Sequence, residues 1–173
     1  MTNNRKIGKG REENAAQKIT TFLTFNDQAE EAVKRYVSIF KNSRIISLVR
    51  GQEGGPIAKG QVLSATFELD GERFMATDGG PYFSFAQGTS LFVSCDAQEE
   101  IDRLWENLSE GGERQPCGWL QDKFGVSWQI VPIVLGEMMG DPTSGNSAKA
   151  MEALLKMSKI DIKTLTRAYA QRR

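Results

Sequence analysis

The chain has 173 residues, 39% of them hydrophobic, and its 22 Lys and Arg balance 22 Asp and Glu. Length and apolar content suffice for one domain or for two small fused modules with a real core. No apolar stretch reaches the roughly 20 residues that cross a bilayer, and the start of the chain lacks the apolar core of a signal peptide, so a membrane protein is excluded and a cytoplasmic one is predicted.

The first element is a polar segment, residues 1–18, with almost no apolar content. Such a segment cannot offset the entropy of ordering, which predicts a mobile N-terminal extension. The extension is basic, and so is the end of the chain from Lys149, whereas the body between them is acidic. No basic stripe interleaved with aromatic residues is present, so a nucleic-acid partner is not expected.

One stretch of the chain occurs twice. Asp27–Tyr36 resembles Asp96–Trp105, and a threonine-started apolar run, Thr20–Phe25 or Thr89–Ser94, precedes each copy. A repeated unit of strand followed by helix predicts two copies of one module. Duplicated modules place a pocket at or near their pseudo-twofold axis.

The first module, residues 19–81, is predicted to run β-α-β-β-β. Asp27 and Glu30 form an acidic variant of the capping box at the start of its helix, and Asp70-Gly71 is typical of a tight hairpin turn. The predicted strands are Ile19–Phe25, Arg44–Arg50, Gln61–Leu69 and Phe74–Asp78.

The second module, residues 89–132, repeats that order. Asp96 and Glu99 are predicted to cap its helix, and Asp122 and Gly125 to form the turn before its last strand. Its predicted strands are Thr89–Ser94, Arg114–Cys117, Trp119–Gln121 and Ser127–Val131. We therefore expect an α+β fold, in which two tandem βαβββ modules form a cupped mixed sheet over residues 19–132.

Residues 133–173 are predicted to form a helical C-terminal extension, with one helix over Ala148–Met157 and a second, capped by Asp161, over Ile162–Tyr169. The apolar side of these helices either packs on its own domain or serves as a dimer surface. The sequence leaves both alternatives open.

Three stretches carry a resemblance to a known family: Asp78–Phe85, Cys117–Gly125 and Met157–Ile162. Together with the tandem modules, they resemble the PhnB-like family of the vicinal oxygen chelate superfamily, whose domain is labelled 3-demethylubiquinone-9 3-methyltransferase. The superfamily includes glyoxalases, extradiol dioxygenases and antibiotic-resistance proteins. The resemblance implies a glyoxalase-like fold and a homodimer.

The resemblance also implies a divalent metal, held by histidines and glutamates on the first and last strand of each module. Aligning the repeats places those positions, to within one residue on the first strands, at Thr20, Met75, Thr89 and Gln129. None of these four side chains is a suitable ligand for a divalent metal, and the chain contains no histidine. We therefore predict no metal and no cofactor. A Mg²⁺ or Ca²⁺ site made of carboxylates, with Asp78 or Glu68, is the alternative.

The expected pocket follows from the alternation of strand side chains. If Gln129 faces the cup, Trp128 faces the covering helix, which leaves Phe22 and Trp119 as aromatic walls. Cys117 is the better candidate for a reactive thiol, with simple packing as its alternative. The full set of pocket candidates is Thr20, Phe22, Met75, Asp78, Thr89, Cys117, Trp119 and Gln129.

Three functions fit these patterns. The first is a protein that binds a small molecule without a metal. The second is an enzyme with an unusual metal site, of the lyase, isomerase or dioxygenase type. The third is an interaction module. Methyl transfer is not expected, because neither Gly51–Gly60 nor Gly79-Gly80 forms the turn from a parallel strand into a helix that binds such cofactors.

Overall fold

The computed structural model describes residues 18–86, 88–140 and 146–170, so the predicted N-terminal extension lies, except for Lys18, outside the described residues. None of the described helices is long and apolar enough to span a membrane. The helices are α1 (Ala29–Ile39), α2 (Gln98–Ser109), α3 (Ile133–Gly140), α4 (Ser147–Leu154) and α5 (Ile162–Ala170). The strands are β1 (Thr21–Phe25), β2 (Arg44–Arg50), β3 (Val62–Leu69), β4 (Glu72–Asp78), β5 (Leu91–Cys95), β6 (Glu113–Arg114), β7 (Trp119–Gln121) and β8 (Ser127–Pro132).

Each module forms a four-stranded mixed sheet. The first sheet has the order β1-β4-β3-β2 and the second the order β5-β8-β7-β6. In both, the first strand runs parallel to the last and the remaining pairs are antiparallel. The predicted α+β fold of two βαβββ units is confirmed, and β1 and β5 each lie at a sheet edge.

The predicted turn between β3 and β4 is confirmed. Asp70 and Gly71 have φ values of 49° and 85°, the left-handed conformation at both central residues that matches a twisted hairpin. The second strand of the second module, β6, is shorter than predicted. It ends at Arg114, because Cys117 and Gly118 adopt φ values of 60° and 83° and leave the strand.

The predicted capping boxes are wrong. Neither α1 nor α2 has a side-chain hydrogen bond from its N-cap residue, which is Gln28 in α1 and Ala97 in α2. At α1 the donor on Ala29 is instead satisfied by Asp78, whose Oδ1 accepts a hydrogen bond of 2.8 Å from the Ala29 N–H. The carboxylate that completes the helix start therefore comes from the last strand of the module.

The strands alternate between a helix-facing side and an open side. In the first sheet, Leu23, Phe25, Phe67 and Ala76 are buried in the core with the residues of α1. Their neighbours along the strands point the other way. We call the side of each sheet that faces away from the helices its open face. In the first sheet, Phe22 of β1 lies on this face, and in the second sheet the residues at equivalent strand positions do.

The two modules share one core, formed between their helix-facing sides. Tyr36 of α1 and Phe40, the residue that follows α1, lie against Trp128 of β8, with ring centroids 5.3 and 5.4 Å from that of Trp128. Phe25 of β1 contacts Phe124, which lies just before β8, at 6.2 Å. Trp128 thus faces the helices, as the alternation predicted.

The C-terminal helices pack on their own chain. Leu154, Ile160 and Leu165 are buried in a second apolar cluster with Val131 of β8. The Gln98 side chain on α2 binds the backbone at the start of α5. It donates a hydrogen bond of 3.0 Å to the Ile160 carbonyl and accepts one of 2.8 Å from the Ile162 N–H. Of the two alternatives, the structure shows packing on the same domain.

Candidate functional site

The register of the strands places the predicted site residues in rows across the open faces. In the first sheet Phe22 lies opposite Met75, which lies opposite Thr66. In the second sheet Phe92 lies opposite Gln129, which lies opposite Trp119. Phe22 and Phe92 therefore occupy equivalent positions on the two edge strands, and their side chains are 52% and 58% exposed.

The equivalence of Phe22 and Phe92 shifts by one residue the position that was predicted at Thr89 in the second module. The β1–α1 connection has three residues and the β5–α2 connection has two, so the strands are offset by one residue more than the helices. The residue that matches Thr20 is therefore Ser90, within the expected error of one residue around Thr89. Ser90 also makes the relevant contact, because its Oγ accepts a hydrogen bond of 2.8 Å from Gln129 Nε2.

A cavity of about 200 Å³ opens where the starts of β1 and β5 come together. Phe22 and Thr89 from the predicted set line it, and Ser90 brings the hydroxyl that binds Gln129 to its wall. We call it the seam cavity. Its lining residues are Thr21, Phe22, Leu23, Ser84, Phe85, Ala86, Thr89, Ser90, Leu91, Val126 and Ser127.

Two predicted site residues lie away from the seam cavity. Asp78 is buried on the helix-facing side, where its carboxylate accepts from the N–H groups of Ala29 and Val62 at 2.8 and 2.7 Å. Cys117 is half-buried under the C-terminal helices, with its Sγ 3.6 Å from the Leu154 carbonyl oxygen. Both side chains therefore make contacts within the fold, away from the seam cavity.

Met75, Trp119 and Gln129 do not line the seam cavity. Met75 belongs to the first open face, and Trp119 and Gln129 belong to the second. A larger groove, of about 480 Å³, runs along β5 beside the turn between β3 and β4 and contains none of the predicted site residues. Its charged rim includes Lys41, Glu72 and Arg103.

A buried carboxyl group with a perturbed pKa, that of Asp122, lies between the two modules. Burial raises its pKa above the ordinary value, and hydrogen bonds from Trp128, Tyr36 and the backbone of Val126 and Phe124 oppose that rise. The same burial, with the Asp122 charge beside it, raises the pKa of Tyr36 well above its ordinary value. These groups lie between the modules, so they fix the geometry of the site without lining it.

A sequence profile of the family described as 3-demethylubiquinone-9 3-methyltransferase matches residues 17–131. The chain belongs to this family, the PhnB-like branch of the vicinal oxygen chelate superfamily. A comparison with curated proteins gives no match. The matched span contains both modules and leaves the C-terminal helices outside.

The solved structure of a relative with the same family description agrees with that assignment. A putative 3-demethylubiquinone-9 3-methyltransferase, PhnB protein, from Bacillus cereus is 43% identical over 67% of this chain and 99% of that chain, with a TM-score of 0.64. A Pseudomonas aeruginosa protein is 26% identical over 67% of this chain and 96% of that one, with a TM-score of 0.58. A Staphylococcus aureus protein is 39% identical over 66% of this chain and 94% of that one, with a TM-score of 0.33.

The residues at the superfamily's metal positions do not fit a divalent metal. The repeat alignment predicts these positions at Thr20, Met75, Thr89 and Gln129, and the offset between β1 and β5 moves the third of them to Ser90. A hydroxyl, a thioether and an amide lack the charge or the imidazole nitrogen that holds such ions in proteins. Among the described residues, no group of three or more Cys, Asp or Glu side chains is arranged to bind a metal, and the sequence has no histidine.

The family description names a methyltransferase, and the glycine-rich segments of this chain do not fit a nucleotide-type methyl donor. Gly51–Gly60 joins the antiparallel strands β2 and β3. Gly79 and Gly80 lead through Pro81 into a connection without a helix. Neither segment precedes a helix N-terminus, which is where a phosphate or carboxylate of such a cofactor binds.

Proposed function

We propose that this PhnB-like protein binds a small organic molecule in the seam cavity without a divalent metal. The observation that carries the proposal is the cavity itself, at the junction of the two edge strands, with aromatic side chains and neutral hydroxyl groups around it. An apolar cavity of about 150 Å³ can hold benzene, so about 200 Å³ suits a substituted ring or a molecule of similar size.

The side chains give the cavity both affinity and orientation. Phe22 and Phe85 supply apolar surface. The Oγ of Ser90 already accepts from Gln129, so its own hydroxyl hydrogen is free to point toward a ligand acceptor. A few placed polar groups in an apolar wall are typical of ligand sites.

The direct test combines elemental analysis with thermal shifts. We expect purified protein without stoichiometric metal, and we expect members of a library of compounds with about 8 to 14 non-hydrogen atoms to raise the melting temperature equally with and without EDTA. Phe22→Ala should remove the shift, whereas Leu155→Ala, an equivalent truncation of an exposed residue on the C-terminal segment, should leave it intact. About one bound divalent metal per chain, with ligand shifts abolished by EDTA, would contradict the proposal.

We also propose that two copies associate through the open face of the second sheet. Phe92 presents a large exposed ring on its edge strand, and such a ring favours burial against a partner. Sedimentation equilibrium should give twice the chain mass, and Phe92→Ser should shift the equilibrium toward the single chain. A monomer at all concentrations would contradict this arrangement.

A further inference from the structure

A row of charged side chains crosses the open face of the first sheet. Glu68 of β3 lies opposite Arg44 of β2 on one side and Arg73 of β4 on the other. The Arg44 Nε lies 2.9 Å from Glu68 Oε2, whereas the nearest Arg73 nitrogen lies 3.8 Å from Glu68 Oε1. Glu68 therefore pairs closely with Arg44, and the distance to Arg73 exceeds that of a hydrogen bond.

This row leaves one surplus positive charge on the open face. Two arginines flank a single glutamate, and the Glu68 side chain is 16% exposed while that of Arg73 is 49% exposed. The other strand residues described on this face are uncharged: Phe22, Thr24, Ser47, Val49, Ser64, Thr66, Met75 and Thr77. Among the charged residues of this face, Arg73 is thus the one that lies on the strand beside β1.

Arg73 lies on the strand that pairs with β1, one of the two edge strands that line the seam cavity. It occupies β4, directly beside β1, and it is two residues from Met75, the partner of Phe22. With strands about 4.8 Å apart and a rise of about 3.3 Å per residue, the Cα atoms of Arg73 and Phe22 are about 8 Å apart on the same face. Long side chains span that diagonal.

We infer that the ligand of the seam cavity carries a carboxylate or a similar anionic group, and that Arg73 binds this group. The inference rests on the proposed function and names the ligand class for the same site. The planar fork of an arginine matches a carboxylate through two parallel hydrogen bonds. Arg44 holds Glu68 at the far side, which leaves the Arg73 donors available to the ligand.

The test uses pairs of probes that differ only in charge. Phenylacetate is compared with phenylacetamide, and 3-phenylpropionate with 3-phenylpropionamide, by ligand-observed NMR titration at constant pH and ionic strength. We expect each carboxylate to bind about tenfold more tightly than its amide, because a charge-assisted hydrogen bond adds that much affinity. Arg73→Gln should abolish the preference, and Arg73→Lys should retain part of it.

Glu68→Gln provides the opposite change. It removes the anion that competes for Arg73, so carboxylate binding should tighten about threefold while amide binding stays constant. Equal affinities of the paired probes for the wild type, a preference that survives Arg73→Gln, or weaker carboxylate binding to Glu68→Gln would each overturn the assignment. If amides and carboxylates bind with equal affinity, the proposed binding function stands and only the role of Arg73 is refuted. If neither kind of probe binds, both the proposed function and the role of Arg73 are refuted.

Discussion

The hydroxyl of Tyr36 on α1 donates a hydrogen bond of 2.7 Å to Asp122, 86 positions further along the chain. The same carboxylate oxygen accepts from Trp128 Nε1 at 2.8 Å, and its other oxygen accepts from the N–H groups of Phe124 and Val126. One buried carboxylate therefore holds its own turn, the last strand of the second module and the helix of the first.

Removing the tyrosine donor is expected to destabilise the junction of the modules. Tyr36→Phe deletes one hydrogen bond to a buried charge, so the free energy of unfolding should fall by about 1 to 3 kcal/mol. Urea unfolding followed by fluorescence measures the change. The matched control is Tyr82→Phe, at a side chain that is 94% exposed, where the same deletion should cost less than about 0.5 kcal/mol. Equal costs at the two positions would show that the contact with Asp122 contributes nothing.

The local elements of the fold follow from the sequence because short-range patterns determine them. The alternation in Val62–Leu69 predicted β3, and Asp70-Gly71 predicted the turn after it. The helix of each module follows from apolar spacing, as Ala32, Val33 and Tyr36 show by their burial. These patterns need no partner from elsewhere in the chain.

Contacts between distant residues could not be predicted in the same way. Asp27 has the sequence context of a helix cap, yet Asp78, 49 residues from Ala29, satisfies the helix start because β4 ends beside it. Ser90 was missed as the partner of Gln129, because the repeat was aligned on its helices and the β5–α2 connection is one residue shorter than that of the first module. Arg73 was missed because only strand register reveals its place near β1.

Substitution of Gly118 is expected to loosen the C-terminal helices. Gly118 has a φ of 83°, and a Cβ there would lie 2.7 Å from the Ile130 carbonyl oxygen and 2.8 Å from Ile160 Cδ1. Its N–H also donates to the Ser158 carbonyl at 2.7 Å. Gly118→Ala should therefore cost about 1 to 3 kcal/mol and should speed amide hydrogen exchange in α5.

A second glycine serves as the control for that variant. Gly136 lies within α3, and a Cβ there would meet no atom within 4 Å. Gly136→Ala should raise stability by about 0.5 to 1 kcal/mol, since alanine loses less backbone entropy in a helix. Unchanged exchange in α5 of Gly118→Ala would show that the close approach of Gly118 to Ile160 does not hold the tail.

Acid is expected to remove the stabilisation that Glu30 supplies. Hydrogen bonds from Arg50 and then Lys34 lower the pKa of Glu30 to about 2, from an ordinary value of 4.5. A carboxyl whose pKa is lower in the folded state stabilises fully above about pH 4.5, and this contribution is lost as the pH falls toward about 2. The stability difference between wild type and Glu30→Gln should thus be largest near neutral pH and should shrink as the pH falls from about 4.5 toward 2.

Urea unfolding at several pH values measures that difference. Glu53→Gln is the control, because Glu53 is an exposed carboxylate 3.6 Å from Lys59, and its difference should stay small throughout. A constant difference between wild type and Glu30→Gln down to about pH 2.5 would contradict the role of the Arg50 pair.

The two thiols are expected to differ sharply in reactivity. Burial, with the Glu100 charge as a smaller contribution, raises the pKa of Cys95 to about 12. Because the thiolate is the reactive form, Cys95 should be inert at about pH 8 while the protein is folded. Cys117 is half-buried on a left-handed turn, so it is the thiol that a reagent can reach. With Ellman's reagent we expect one thiol per native chain and two after denaturation. Cys117→Ser should abolish the native reaction and Cys95→Ala should preserve it, whereas a fast native reaction in Cys117→Ser would place the accessible thiol at Cys95 and refute its burial.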